Sequence, residues 1–310
     1  MEIREALTVD NETLRKMQLL ELGILKEIDA VCRKHGLRYT LCGGSMLGAI
    51  RHGGIIPWDD DIDVTMLRDD YDRFFEVCKT ELDADKYFVQ TMATDPDYRL
   101  TYGRILLKGT KFVRVGQEHI RARNGLFVDI FPRDGKSDFF LIRKLQSILA
   151  KFMRKILYSP VGARRSKSMP GRWGFRVLRH FPRKSALHIL NVINFLNLGK
   201  KTERVVCWGL MSNKERRKLE MGREAYKAYK KKIRGLPPEE KKKRKERDRG
   251  ICREWFYQIE DLPFEDMEAM VTSAWDTWLT WNYDDYMKLP PVEKRKIHQT
   301  VSQIDFGGYA

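Results

Sequence analysis

The sequence lacks the cysteine spacing of a disulfide framework or a zinc site. Five cysteines are scattered over 310 residues, and no two of them are separated by only two residues. Small disulfide-rich domains and Cys-ligated zinc domains both need regularly spaced cysteines. The cysteine pattern therefore argues against both classes.

Long apolar runs are also missing. No stretch of about eighteen apolar residues occurs, which is the minimum for a membrane-spanning helix. Residues 1–7 are too charged for a signal peptide. We therefore expect a cytoplasmic protein.

Acidic residues are scarce relative to basic ones. The chain has 59 Lys and Arg against 43 Asp and Glu, which gives a formal net charge of +16. Such an excess favours an acidic partner: nucleic acid, an anionic membrane or a phosphorylated substrate. With 42% hydrophobic residues, the chain can form one large domain, or one domain with a sizeable insertion.

A glycine pair follows the first predicted strand, which ends at Cys42. The sequence Gly43-Gly44-Ser45 precedes a short segment compatible with a helix, residues 46–51. Glycines let backbone N–H groups approach an anion closely, and a helix N-terminus adds positive potential. A plain turn is the alternative interpretation, and the glycine pair alone does not exclude it.

Two carboxylates follow within about twenty residues. Asp61 and Asp63 are separated by one apolar residue, so on a strand both face the same side. Close carboxylates repel each other unless a cation such as Mg²⁺ or Mn²⁺ lies between them. A phosphate cradle beside a metal-binding acid pair indicates phosphoryl-transfer chemistry.

A third acid, Asp129, lies inside the apolar segment 125–132. A carboxylate buried in such a segment is costly unless a cation compensates it. The alternative is an outward-facing acid on an edge strand that Pro132 ends.

The run from Gly43 to Val64 resembles the signature of the LicD family of phosphocholine transferases, which belong to the nucleotidyltransferase superfamily. Residues 128–132 and the tail from Tyr283 to His298 are similar to further family segments, although Asp284 stands where the family has glycine. The superfamily pattern includes a third carboxylate on a neighbouring strand, which favours a functional Asp129.

The resemblance implies an α/β fold with a nucleotidyltransferase-like mixed sheet flanked by helices. It also implies transfer of phosphocholine, or a related phospho-alcohol, from a CDP-choline-like donor to a hydroxyl of a cell-surface glycan that could be lipid-linked. Catalytic and metal-binding roles fall on Asp61, Asp63 and Asp129, with Asp129 as the proton acceptor. Donor-binding roles fall on Gly43, Gly44, Ser45, Arg51, His52 and Arg104. Simpler alternatives are packing against Trp58 for His52 and a surface salt bridge for Arg104.

Two other functions compete with this one. The first is nucleotidyl transfer onto RNA or a small molecule. The second is a non-catalytic basic protein that binds membrane or nucleic acid, but the three aspartates weigh against it. Nucleic acid is therefore not an expected partner.

The middle of the chain is strongly basic. Residues 139–158 predict an amphipathic helix without acids, which could contact an anionic membrane or pack into the core. We expect a loop over residues 159–184. Residues 227–249 carry twelve Lys or Arg against four acids, and we expect a solvated, partly mobile segment or a polyanion contact.

These changes of character divide the chain into three parts. We expect a catalytic core over residues 1–136, a basic helical insertion over 137–255 and a C-terminal helical segment over 256–310 that packs back on the core. The basic residues favour peripheral attachment to the inner face of the cell membrane.

Overall fold

The computed structural model describes residues 6–166, 168–199, 201–297 and 299–309, and only the backbone of residues 213, 214, 220 and 223. In that part of the chain the helices are α1 (Asn11–His35), α2 (Gly43–His52), α3 (Arg68–Glu81), α4 (Phe140–Arg165), α5 (Met169–Leu178), α6 (Arg183–Phe195), α7 (Asn213–Arg234), α8 (Pro238–Arg249) and α9 (Trp275–Tyr283). The strands are β1 (Thr40–Leu41), β2 (Ile62–Leu67), β3 (Tyr87–Gln90), β4 (Gly103–Leu107), β5 (Lys111–Arg114), β6 (Phe127–Lys136), β7 (Arg204–Val206), β8 (Ile251–Cys252), β9 (Ile259–Phe264), β10 (Met267–Thr272) and β11 (Val301–Asp305).

A mixed sheet flanked by helices forms the centre of the fold, which confirms the predicted fold class. Its strand order is β1-β2-β6-β4-β3, with β7 and β8 added at the far end of β6. Strands β2 and β6 run parallel, whereas β1 and β4 pair antiparallel with their neighbours. This register places Asp63 opposite Asp129, and Asp129 opposite Arg104.

Apolar residues recur at helical spacing over residues 12–35, which predicts a helix there, and α1 confirms it. The side chain of Asp10 accepts a hydrogen bond from the Thr13 amide at 2.7 Å, which caps the first turn. Gly36 ends the helix in the left-handed conformation, with φ of 61°. The apolar face of α1 is buried in the main core under the sheet.

Pro132 does not end the strand that carries Asp129, and that strand is not an edge strand. Strand β6 lies between β2 and β4, and it continues through Pro132 to Lys136. Pairing with β4 stops at Ile130, and pairing with β7 starts at Asp134. Pro132 therefore lies in the gap between two partners, where a missing N–H group costs least.

The loop expected over residues 159–184 is also wrong, because α4 continues to Arg165 and α5 follows it. Pro160 lies inside α4 and cannot donate to the Ile156 carbonyl one turn earlier. The Ser159 hydroxyl donates to that same carbonyl at 2.7 Å. A side chain thus replaces the lost backbone hydrogen bond, and the helix is not broken.

Helix α4 has more apolar surface than its neighbours cover. One face, which includes Ala150, Met153 and Leu157, packs with α6 in a second core. Leu145 and Ile148 remain 45% and 56% exposed. Within the described residues, no helix has the length and apolarity needed to cross a lipid bilayer.

The basic segment 227–249 contains the end of α7 and all of α8, separated by a short turn at Pro237. After it, the chain forms the β9–β10 hairpin, α9 and β11, which pairs with β5. The hairpin and β11 are strands that the sequence patterns did not predict.

Candidate active site

The three predicted aspartates line one polar cavity of about 360 Å³. Asp61, Asp63 and Asp129 share it with two arginines, Arg114 and Arg165. The other lining residues are Tyr102, Val115, Gln117, Phe131, Gln299 and Thr300. The cavity thus combines carboxylates, which hold cations, with guanidinium groups, which hold phosphates.

The sheet and the start of α2 together fix Asp63. The Cys42 amide donates to the Asp63 carbonyl at 3.1 Å, since β1 and β2 pair there. The Ser45 hydroxyl accepts a hydrogen bond from the Asp63 amide at 2.8 Å. Ser45 therefore holds the backbone of the acidic strand.

The glycine pair packs against the same acids. Gly43 has φ of +59°, and a Cβ atom on it would lie 3.8 Å from an Asp63 carboxylate oxygen. A Cβ atom on Gly44 would lie 2.0 Å from the Asp59 carboxylate, so no side chain fits there. The structure thus brings Gly43, Gly44 and Ser45 to the acid cluster, and their contact with a donor phosphate stays a prediction.

Arg104 forms a buried ion pair with Asp129 rather than a surface salt bridge. Its guanidinium group donates to the two carboxylate oxygens at 2.5 and 3.3 Å. The two side chains are only 12% and 6% exposed, and the guanidinium also stacks 3.9 Å from the Phe127 ring centroid. Arg104 therefore orients Asp129, and a direct phosphate contact by Arg104 stays a prediction.

Arg51 and His52 do not line the cavity. Arg51 donates to the Tyr286 carbonyl at 2.9 Å, so it ties α2 to the C-terminal segment. The His52 ring meets Trp58 edge-on at 5.8 Å, as the simpler alternative predicted. His298, the end of the family-like tail, lies outside the described residues.

The acid cluster carries more negative charge than its surroundings compensate. Burial raises the pKa of Asp61 to about 6, and the nearby Asp60 and Asp129 add to the effect. Burial, then Asp61 and Asp129, raise the pKa of Asp63 well above its ordinary value. One buried Asp63 oxygen, Oδ1, has no hydrogen-bond partner among the described residues. A divalent cation would satisfy this oxygen and lower the repulsion, so the residues fit a metal site.

A tighter acidic group lies at the entrance to β2. Carboxylate oxygens of Asp59, Asp60 and Asp61 lie within 4.8 Å of one another, and burial raises the pKa of Asp59 to about 8. Asp59 and Asp60 were not among the ligands predicted from the sequence. Asp61 belongs to both groups, so a metal could be bound by either set.

Two more polar residues of the cluster were missed. Glu21 on α1 is 1% exposed, and its Oε2 atom lacks a partner among the described residues. Burial, then Asp61, raises its pKa well above the ordinary value. Its position on the buried face of a predicted helix was the available signal. Gln299 donates to Asp60 at 3.0 Å and to Asp61 at 2.8 Å, and no sequence pattern pointed to it.

Comparisons with known proteins agree with this geometry. Residues 36–147 match the nucleotidyltransferase domain of the LicD/FKTN/FKRP family. The chain is 29% identical over 291 residues to the lipopolysaccharide cholinephosphotransferase LicD of Haemophilus influenzae, which covers 92% of this chain and 96% of that protein. A segment of 35 residues is 60% identical to the human ribitol 5-phosphate transferase FKRP, covering 11% of this chain and 7% of that protein.

Proposed function

Since the chain carries a nucleotidyltransferase domain of the LicD family over residues 36–147, we propose that it transfers phosphocholine, or a related phospho-alcohol, from a CDP-linked donor to a sugar hydroxyl of a cell-surface glycan. The observation that carries the proposal is the convergence of Asp61, Asp63 and Asp129 with Arg114 and Arg165 in one cavity. Similarity to a cholinephosphotransferase over nearly the whole chain supports the choice of transferred group.

Divalent metal binding is part of the proposal. Asp61, Asp63 and Asp129 would hold Mg²⁺ or Mn²⁺, with Asp59 and Asp60 as further ligand candidates. The bound metal would neutralise charge that develops on the donor phosphates during transfer.

The two cavity arginines would bind the donor diphosphate. Arg165 donates to the Val115 carbonyl at 2.8 Å, and Arg114 donates to the Gln299 side chain at 2.5 Å. Both guanidinium groups are therefore held at the cavity wall, where they can form charge-assisted bonds to phosphate oxygens.

The acceptor hydroxyl must lose a proton as it attacks the donor phosphorus. Asp129 was the predicted proton acceptor, but it is 4% exposed and both of its oxygens accept bonds from Arg104. Asp61 is half-buried and lines the cavity, and Gln299 donates to its Oδ2 atom. We therefore propose Asp61 as the proton acceptor. Asp129, oriented by Arg104, is proposed to place its own negative charge in the site.

The decisive experiment follows CMP release from CDP-choline in the presence of Mg²⁺ or Mn²⁺ and a glycan acceptor. We expect turnover by the unchanged protein and a loss of about a hundredfold or more in Asp61→Asn and Asp63→Asn. Asp69→Asn, an exposed acid on α3, is the matched control and should keep full activity. Label transferred from a nucleoside triphosphate into RNA, without CMP release from CDP-choline, would favour the alternative, nucleotidyl transfer.

Membrane contact is a second, separate proposal. The uncovered face of α4 carries exposed Leu145 and Ile148 beside the basic residues Lys144 and Lys151, which fits an anionic bilayer surface. We expect co-sedimentation with phosphatidylglycerol vesicles but not with phosphatidylcholine vesicles, and weaker binding by Leu145→Glu. Leu19→Glu on α1, at a similar exposure of 51%, is the control. If both variants bind phosphatidylglycerol vesicles equally well, α4 is not the contact surface.

The division at residues 136 and 255 is proposed with this function, so that a catalytic core acts next to a membrane-facing basic region.

A further inference from the structure

A second cavity, of about 410 Å³, has a strongly basic lining. Five of its lining side chains can carry positive charge, and the remaining lining residue is Pro160. The basic residues are Arg99, His119, Arg164, Arg179 and His180. None of these belongs to the candidate active site.

The charges of this cavity are not used to hold the fold together. Within the described residues, no side-chain hydrogen bond or ion pair engages Arg99, Arg164 or Arg179. Burial lowers the pKa of Arg99, and Arg183 lowers it further, although Asp97 favours the charged form.

One histidine of the cavity, His119, also has an unsatisfied ring nitrogen. The Nε2 atom of His119 is buried without a partner in the described part of the chain. Burial, then Arg164, lowers the pKa of this ring, although a hydrogen bond with the Pro160 backbone and the charge of Glu118 act in the opposite direction. An anion in the cavity would compensate the arginines and accept a hydrogen bond from His119.

The basic cavity adjoins the candidate active site. Val115 and Gln117 line the active-site cavity, whereas His119, from the same loop, lines the basic one. The end of α4 is shared in the same way, because Arg165 faces the active site and Arg164 faces the basic cavity. The same loop and the same helix end thus contribute residues to both cavities.

On the other side, His180 also lines an apolar groove that contains Trp173, Val177 and Phe181. Trp173 is 69% exposed, and Phe181 is 44% exposed. The basic cavity thus lies between a polar reaction site and an exposed apolar surface.

We propose that the basic cavity binds a phosphate ester carried by the glycan acceptor, and so positions the acceptor hydroxyl at the active site. This inference rests on the proposed function. The donor diphosphate has its own arginines, Arg114 and Arg165, in the active-site cavity. A neutral sugar alone has no use for three unpaired guanidinium groups, whereas a phosphorylated one does. A membrane-lipid headgroup has the same phosphate chemistry, so the experiment separates the two sources.

Calorimetric titration of glucose 6-phosphate in EDTA tests the site without turnover, donor or metal. Under these conditions the carboxylates of the active site repel anions, so binding reports on the basic cavity. We expect binding of glucose 6-phosphate but not of glucose. We also expect the affinity for glucose 6-phosphate to fall by about tenfold or more in Arg164→Gln and in Arg179→Gln. Arg164→Lys should recover part of this loss. Arg73→Gln, an exposed arginine on α3, should bind like the unchanged protein.

Three results would overturn the inference. One is no binding of glucose 6-phosphate by the unchanged protein. Another is equal affinity in Arg164→Gln, Arg179→Gln and the control, with thermal midpoints showing that all are folded. The last is loss of phosphatidylglycerol-vesicle binding by both variants while glucose 6-phosphate binding is unchanged, which would assign the cavity to lipid headgroups. Failure of CMP release alone would count against the proposed function and leave this binding result intact.

Discussion

Gly48 and Gly23 are both helical glycines, but their surroundings differ. Gly48 lies in α2, and a Cβ atom there would meet the Gly54 carbonyl oxygen at 2.3 Å. Gly23 lies in α1, and a Cβ atom there would have nothing within 4 Å. Helix propensity favours alanine at both positions by about 1 kcal/mol. Steric contact of the added Cβ atom therefore decides whether each alanine variant is more or less stable.

Gly48→Ala should lower the free energy of unfolding by about 1–3 kcal/mol, because the contact is with backbone that cannot move away cheaply. Gly23→Ala is the matched control and should raise it by about 1 kcal/mol. Urea unfolding followed by circular dichroism measures both changes. A stabilised Gly48→Ala would show that the turn after α2 shifts readily.

Asp284 shows a different use of backbone conformation. It stands where the LicD family has glycine, and it adopts φ of 59°, in the left-handed region that glycine favours. Arg247 donates two bonds of 3.0 Å to its carboxylate. Asp284 therefore adopts this conformation at some backbone cost, and its side chain gains a partner on α8.

At the scale of elements, the ion pair between Arg68 and Asp134 ties α3 to the sheet. Arg68 donates to both carboxylate oxygens, at 2.8 and 2.9 Å. Asp134 is 2% exposed and also accepts a bond of 3.0 Å from Asn194 on α6. One carboxylate on β6 thus joins helices from the core and from the basic region.

Arg68→Gln should therefore destabilise the protein by about 3–5 kcal/mol, because it leaves a buried carboxylate without its cation. Arg73→Gln, exposed on the same helix, should change the stability by less than about 0.5 kcal/mol. Thermal and urea unfolding of the two variants test this difference. Similar midpoints for both would mean that Asn194 alone satisfies Asp134.

Lys136 at the end of β6 gives a pH-dependent link to α8. Its Nζ atom donates to the Asp248 carbonyl at 2.8 Å, and the residue is 8% exposed. Burial, then Arg143, lowers the pKa of Lys136 to about 8. Between pH 8 and the unfolded value near 10.5, the unfolded chain binds more protons than the folded one, so stability rises with pH there.

The free energy of unfolding should accordingly increase, relative to Lys136→Met, by on the order of 2–3 kcal/mol as the pH rises from about 7.5 to 10.5. The comparison with the variant cancels the other groups that titrate in this range. A constant difference across these pH values would contradict a buried, charged Lys136 at neutral pH.

At the scale of the whole molecule, the acid cluster should make stability depend on divalent cations. The pKa of Asp61 is about 6 and that of Asp59 is about 8, both raised, first of all by burial. The folded state therefore holds these protons more tightly than the unfolded one. In EDTA, stability should fall as the pH rises from about 4 to 8.

Mg²⁺ or Mn²⁺ should offset this loss, and the offset should be larger at pH 8 than at pH 5.5, because protons compete with the metal. At a metal concentration of about a hundred times Kd the gain is about 2.7 kcal/mol, which differential scanning fluorimetry detects as a higher melting temperature. Asp63→Asn should lose the effect, and Asp69→Asn should keep it. If the metal left the melting temperature of the unsubstituted protein unchanged at every pH, this would argue against a resident cation.

The sequence determined the parts of this protein that depend on short-range pattern. Helix α1 and its end followed from helical spacing and from the placement of Gly36, whereas the Asp10 cap was not predicted. The family resemblance, the mixed α/β fold and the convergence of Asp61 with Asp63 followed from one continuous run of residues. Such features depend on neighbours in the chain, which the sequence displays directly.

Tertiary structure decided what distant segments do to one another. Only the pairing of β6 showed that Asp129 is central and bound to Arg104, and that Pro132 occupies a gap between partners. The contacts of Arg51, Gln299 and Glu21 likewise join segments far apart in the chain. Which of the five aspartates bind a metal stays a prediction that metal titration of the variants tests. The candidates are Asp59, Asp60, Asp61, Asp63 and Asp129.

Gly43 to Val64, the run that first indicated phosphoryl transfer, shows both contributions. Its residue types specify a turn, a short helix and an acidic strand, because glycine, serine and aspartate each restrict the local backbone and its charge. Burial, together with the neighbouring carboxylates, raises the pKa values of Asp61 and Asp63. Burial is a property of the packed chain, so only the fold could decide it.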